Sequence, residues 1–121
     1  MRIRGTAVVI RANKVLLVRD RGDKSFSLPG GGRNRNEPSL AAAVRELYEE
    51  LGMRALKAER IIRCDYTSPY NKHKVTLIET TDAPVIKSEL DRYIWWDMKT
   101  AIPRYNHVDY ILKKLGEVED S

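Results

Sequence analysis

The segment "PSLAAAVRELYEELG", residues 38–52, constrains the fold more than any other stretch. Ala, Leu, Glu and Arg are strong helix formers, Pro38 suits a first turn, Asn36 or Glu37 can cap the start, and Gly52 supplies a stop. A helix is therefore expected from about Pro38 to Leu51. Before it, "RGTAVVIR" (4–11) and "KVLLVRD" (14–20) are rich in Val, Ile and Leu and are separated by "AN", the pattern of two strands joined by a tight hairpin. "FSLP" reads as a short strand, and "DRGDK" and "GGGRNRNEP" as loops. After the helix, "ERIIRCDYTS", "HKVTLIETT" and "RYIWWD" read as further strands and "HVDYILKKL" as a closing amphipathic helix. Strands, helix, strands, helix, without regular βαβ alternation, predict an α+β domain with a mixed sheet sandwiched between helices.

A chain of 121 residues has the length of one domain, spanning 1–121, with 117–121 reading as a frayed tail. No apolar run approaches the roughly 20 residues of a membrane span, and the N-terminus lacks the apolar region of a secretion signal. A cytoplasmic protein with no membrane partner is expected. The lone Cys64 excludes an intramolecular disulfide and a Cys-based zinc site, and in the strand-like "RIIRCDY" it reads as a small buried hydrophobe. The net charge of +5, from 22 basic and 17 acidic residues, favours polyanionic ligands but falls short of a dedicated nucleic-acid surface. Phosphate-bearing small molecules suit it.

"RELYEEL" places Glu46, Glu49 and Glu50 within five positions. With Glu46 at zero, a helix turns Glu50 to about +40° and Glu49 to about −60°, while Leu40, Val44, Leu47 and Leu51 cluster at roughly 100° to 160°. The carboxylates share one stripe, and the apolar stripe packs on the sheet and holds them in a fixed direction. Like charges at these spacings cost only about 0.2 to 0.5 kcal/mol each, so a merely solvated face remains compatible with the motif alone. Upstream, "SLPGGG" supplies small residues at which bare backbone can approach a ligand and carbonyl oxygens can face a hard cation. This loop enters the helix directly. Three carboxylates and a backbone oxygen suit Mg²⁺ or Mn²⁺, which keep several waters for a substrate's phosphates.

The loop and helix resemble the signature of the Nudix hydrolases, G-x5-E-x7-R-E-U-x-E-E-x-G-U, where U is aliphatic. Gly31, Glu37, Arg45, Glu46, Leu47, Glu49, Glu50, Gly52 and Met53 fill every defined position at residues 31–53, with Met53 in place of the commoner Ile or Val. A chance match has a probability on the order of 10⁻¹⁰ per starting position, so coincidence is discarded. Pro29 and the order of the flanking strands follow the family as well, which makes the chain similar to small, single-domain, MutT-like members.

The resemblance implies divalent-cation-dependent water attack at phosphorus, cleaving a pyrophosphate bond in a nucleoside diphosphate linked to another moiety. It implies that Glu46, Glu49 and Glu50, with the Gly30 carbonyl, hold Mg²⁺ or Mn²⁺, and that Glu37 and Arg45 bridge loop and helix to support them. Glu46, Glu49 and Glu89 are the candidates for catalysis of proton transfer, Glu89 because some relatives place the general base in that late loop. Arg19 can hold phosphate, and Phe26 and Tyr70 can contact substrate, although Phe26 can equally pack. Trp95 and Trp96 should point to opposite faces of one strand, one in the core. His73 and His107 read as isolated surface or helix-end residues.

A nucleoside triphosphate or related nucleotide is the expected substrate. Tyr70 hints at dinucleoside polyphosphates of the diadenosine tetraphosphate type, and Pro69 at ADP-ribose. The positive charge allows RNA 5′ pyrophosphate removal, and some relatives only sense nucleotides. Monomer and homodimer both remain open.

Overall fold

The structure is a computed structural model and describes residues 1–87 and 89–119. Its strands are β1 (Arg2–Val8), β2 (Ile10–Arg11), β3 (Lys14–Asp20), β4 (Gly30–Gly32), β5 (Lys57–Arg60), β6 (Tyr66–Thr67), β7 (Asn71–Glu79) and β8 (Leu90–Trp96). The helices are α1 (Ser39–Leu51) and α2 (Asn106–Glu119), with a 3₁₀ turn at Ile62–Cys64. β1 lies between β4, antiparallel to it, and β7, parallel to it, in a sheet ordered β4-β1-β7-β5, with β6 also on β7. A second sheet is ordered β2-β3-β8. This is the expected α+β arrangement of mixed sheets with two helices.

The apolar runs are continuous rather than alternating because both sheet faces are covered. Ala7, Val9, Leu16 and Val18 pack with Ala43, Leu47 and Leu51 of α1, while Val8, Val15 and Leu17 pack with Val108, Ile111 and Leu115 of α2. Successive residues therefore enter different cores. Trp96 is buried on the α2 side, and Trp95 is half-buried on the other, as the strand period requires.

Several local expectations need correction. The first run is not one strand: it leaves the large sheet after Val8 and enters the small one at Ile10, where the hairpin turn uses positive φ at Ala12 and Asn13. The "FSLP" strand is reduced to isolated bridges at Phe26 and Ser27, and the three glycines are the strand instead, paired with Arg4–Thr6. "ERIIRCDYTS" is broken by the 3₁₀ turn that carries the buried Cys64. α1 starts at Ser39 with Pro38 rather than Asn36 or Glu37 in the N-cap position, and Pro38 has no side-chain acceptor; the Glu37 carboxylate accepts instead from Arg45 and the Asn34 amide. Its end is as expected, with Gly52 at φ 67° donating its N–H to the Tyr48 carbonyl. α2 runs on through 117–119, and residues 120 and 121 lie outside the described residues.

His73 and His107 are not surface residues. They are buried and stacked, with ring centroids 4.1 Å apart. Thr6 Oγ1 lies 2.9 Å from His73 Nδ1, and His107 Nε2 accepts the Leu28 amide at 3.2 Å. No local pattern reveals this, since β7 and α2 meet only in the folded chain. Burial pulls His73 down from its ordinary 6.5 to about 4, and burial, the neighbouring His73 and Arg4 pull His107 to about 3.

The expected stripe on α1 is also rotated. Ala42 and Ala43 are fully buried, whereas Leu40 and Val44 are only half-buried. The cause is Gly5, where a Cβ would meet the Ala43 nitrogen at 2.6 Å and the Ala42 Cβ at 2.7 Å. The helix therefore rests directly on the β1 backbone. Gly5→Ala should destabilise the fold by about 1–3 kcal/mol through overpacking, measured by urea unfolding; an unchanged midpoint would remove this contact from the account. The histidine pair makes a second prediction. Because their folded values lie below 6.5, the unfolded chain protonates first, so stability is level above about pH 6.5 and falls as pH drops toward 4 for His73 and 3 for His107. Between pH 7 and pH 5 the loss should be roughly 2 kcal/mol per imidazole, and a folded His73→Gln/His107→Gln variant should lose that slope.

Candidate active site

Everything at the site depends on α1 crossing close to β1 and β4. Gly30 has φ 146°, a conformation reserved for glycine, and a Cβ there would fall on the Gly5 carbonyl. A Cβ on Gly31 would fall on the Glu46 carboxylate. The glycines are required because a helix carboxylate lies against the strand's bare backbone.

Arg45 joins the parts. Its Nε donates to Glu37 at 2.9 Å, and its Nη2 donates to Glu37 at 3.0 Å and to the Gly32 carbonyl at 2.9 Å. Its Nη1 donates to Glu46 at 2.8 Å and to Glu49 at 3.1 Å. The bidentate fork lowers Glu37 to about 2, with the Asn34 amide assisting, and raises Arg45 itself. The bridge expected between loop and helix is thus formed.

Glu50 differs from its neighbours. Its Oε1 accepts the Gly30 amide at 3.0 Å, and it forms no ion pair among the described residues. Burial, together with nearby Glu46, pushes it up to about 7 against the lowering effect of the Gly30 amide. A half-buried carboxyl without a cation sits beside two more carboxylates.

These groups line a cleft of about 200 Å³. Glu46, Glu49, Glu50, Gly30 and Gly31 form one side, and Asp20 and Glu89 contribute further acid. Of the residues singled out from the sequence, the structure brings together Gly30, Glu46, Glu49, Glu50 and Glu89, with Glu37 and Arg45 behind them. Arg19 is outside the cleft, paired with Asp91 at 3.1 Å and lying over the Phe26 ring. Phe26 itself is buried in the α2-side core, and Tyr70 is 80% exposed on the turn before β7. None of these three lines the cleft, because β3 alternation sends Val18 and Asp20 elsewhere than Arg19, and Tyr70 sits beyond the opposite end of β1. A larger hollow of about 400 Å³ beside Ile10, Lys57 and Glu79 contains none of the α1 carboxylates, so chemistry rather than size marks the site.

Arg2, Arg4 and Asp20 also line the cleft and were missed. A usable signal existed: Arg2 and Arg4 flank Ile3 at strand period, and Asp20 ends a buried run. Which element they would face depends on strand pairing.

The donor set fits a hard divalent cation. Its acidic groups are carboxylates with no thiol or imidazole in the lining, and the half-buried Glu50 is in no ion pair among the described residues. No three acidic, histidine or cysteine side chains converge in ligand geometry among the described residues, since Arg45 holds Glu46 and Glu49 while Gly30 holds Glu50.

The NUDIX domain family model matches residues 1–114. The chain is similar to a Nudix hydrolase family member from Chromobacterium violaceum, with TM-score 0.86 and 27% identity over 100% of this chain and 80% of that one. It superposes on a MutT Nudix hydrolase from Burkholderia pseudomallei with TM-score 0.81 and 21% identity, over 94% and 97% of the two chains. An ADP-ribose pyrophosphatase from Streptococcus suis gives TM-score 0.77 and 21% identity over 99% and 92%. No curated protein matches the chain. Arg45→Lys, which keeps charge but loses the fork, should weaken Mn²⁺ binding about 10- to 100-fold with unchanged circular dichroism. Equal affinity in a titration would show that the fork does not position the carboxylates.

Proposed function

The chain belongs to the Nudix hydrolase family and is a pyrophosphohydrolase, and from that premise we propose that it hydrolyses a nucleoside triphosphate or related nucleotide with the help of Mg²⁺ or Mn²⁺. The observation that carries this reading is the cleft in which half-buried Glu50, in no ion pair among the described residues, stands beside Glu46 and Glu49 on one helix. Glu46, Glu49 and Glu50, with the Gly30 carbonyl, are the residues that would hold the metal. When bound, such ions neutralise charge developing on phosphoryl oxygens and lower the pKa of water.

The protein's own groups perform the remaining tasks. Glu37 and Arg45 tie the glycine strand to α1 and fix the helix carboxylates relative to it. The Gly30 amide holds Glu50 toward the cleft. Glu89 enters the cleft from the segment before β8, across from α1, where its carboxylate can take a proton from attacking water. Glu46 is the other candidate base, once free of Arg45. Tyr70, the residue that pointed to dinucleoside polyphosphates, is 80% exposed on the turn before β7.

The localisation expected is cytoplasmic; among the described residues no helix is long and apolar enough to cross a membrane. A Mg²⁺-dependent screen of nucleoside triphosphates, oxidised nucleotides, dinucleoside polyphosphates, nucleotide sugars and capped RNA tests the substrate. Strong nucleotide binding without turnover would favour a sensor instead, and a steep salt dependence on RNA would favour 5′ end processing. Glu50→Gln should lower kcat by at least about 100-fold, and Glu89→Gln by about 10²- to 10⁴-fold if it is the general base. Near-normal turnover of Glu89→Gln would pass that role to Glu46.

A further inference from the structure

The acidic cleft contains two arginines that are not tied to its carboxylates by ion pairs among the described residues. Arg2 and Arg4 line it, yet neither guanidinium forms an ion pair or a hydrogen bond among the described residues. The Nε of Arg4 is buried and has no acceptor. Leaving a desolvated guanidinium donor unmatched is unfavourable, and the attraction of nearby Glu50, Asp20 and Glu46 offsets only part of the cost of burying Arg4. The strand pairing sets where the two arginines lie.

Register explains how. β1 sets Arg4 opposite Gly32 and Thr6 opposite Gly30, the residue whose amide holds Glu50. Arg4 and Arg2 thus lie two and four residues along β1 from the Glu50 end, about 7 and 13 Å of strand. The neighbouring β4 contributes no side chains, and the Arg2 guanidinium occupies the space so left: a Cβ on Gly32 would meet its Nη2 at 2.7 Å and its Nε at 2.9 Å. Gly32 stands just after the metal-loop glycines and makes room for an arginine rather than for a cation. The cleft consequently has a carboxylate end at Gly30 and a guanidinium end at Gly32.

A ligand that satisfies both ends must carry anionic charge well beyond the bond being cleaved. We propose that Arg4, with Arg2 beside it, grips the far part of the substrate's phosphate chain, so that the enzyme selects chains of three or more phosphoryl groups over those with two. Guanidinium forks match phosphate oxygens two at a time, and β4 contributes no side chain of its own, so a chain passing Gly32 meets the Arg2 guanidinium held over it. The inference rests on the pyrophosphohydrolase reading for the carboxylate end, and it names the substrate class that the other end selects.

Calorimetry with uncleavable probes tests it. Methylene-bridged diphosphonate and triphosphonate are titrated into the whole chain with Mg²⁺ at fixed ionic strength. Wild type should bind the triphosphonate at least about tenfold more tightly, and Arg4→Gln should bring the two probes within about twofold. Arg4→Lys should recover part of the preference. Arg2 is exposed, so Arg2→Gln remains informative even if Arg4→Gln fails to fold, and it should narrow the preference by about threefold. The same triphosphonate linked to adenosine shows whether the chain alone or a nucleotide supplies the ligand; a gain with adenosine indicates a nucleotide, and equal binding indicates the chain, either one supporting the guanidinium site. A wild-type preference near one, or a preference unchanged in the folded arginine variants, overturns the inference. Hydrolysis is measured separately: arginine-dependent chain binding without Mg²⁺-dependent turnover would refute the proposed reaction and leave this site standing, whereas turnover with length-blind binding would do the reverse.

Discussion

The Arg45 guanidinium is the interaction on which the site's geometry depends. One planar fork contacts the loop through Glu37, the strand through the Gly32 carbonyl and the helix through Glu46 and Glu49. Each contact alone would be a modest, partly solvated ion pair. Together they remove the freedom of three chain segments at once, which a lysine's point charge cannot do. The same network restrains two of the three helix carboxylates and leaves Glu50 held only by a backbone amide, outside any ion pair among the described residues.

That network can form only because backbone meets backbone nearby. Gly5 lets α1 settle onto β1, Gly31 leaves room for the Glu46 carboxylate, and Gly30 adopts a conformation closed to other residues. Three glycines thus bring strand and helix closer than side chains would permit. The alternating burial of β1 and β3, one residue toward α1 and the next toward α2, then clamps this contact from both sides. On the α2 side the clamp includes the stacked His73 and His107, whose contact with the Leu28 amide anchors the segment leading into β4.

The cleft is more mixed in charge than its glutamates suggest. Carboxylates gather at the Gly30 end, and Arg2 and Arg4 extend along the glycine strand. On the proposed reading, such an arrangement would put the two tasks of the site, stabilising charge at the cleaved bond and holding the rest of the chain, on different elements.

Much of this was legible in the amino-acid order. The glutamate spacing, the stop at Gly52 and the glycine-rich entry to α1 are local patterns, and local physics decides them: helix periodicity aligns Glu46, Glu49 and Glu50, and Gly52 tolerates the left-handed cap. What only the tertiary structure decided is pairing at a distance. That Gly30–Gly32 is a strand, that Arg2 and Arg4 lie over it, that Arg19 is drawn off to Asp91, and that His73 meets His107 are contacts between residues remote in sequence. Periodicity states which way a side chain points from its own backbone, but it carries no information about which other strand or helix will be there to meet it.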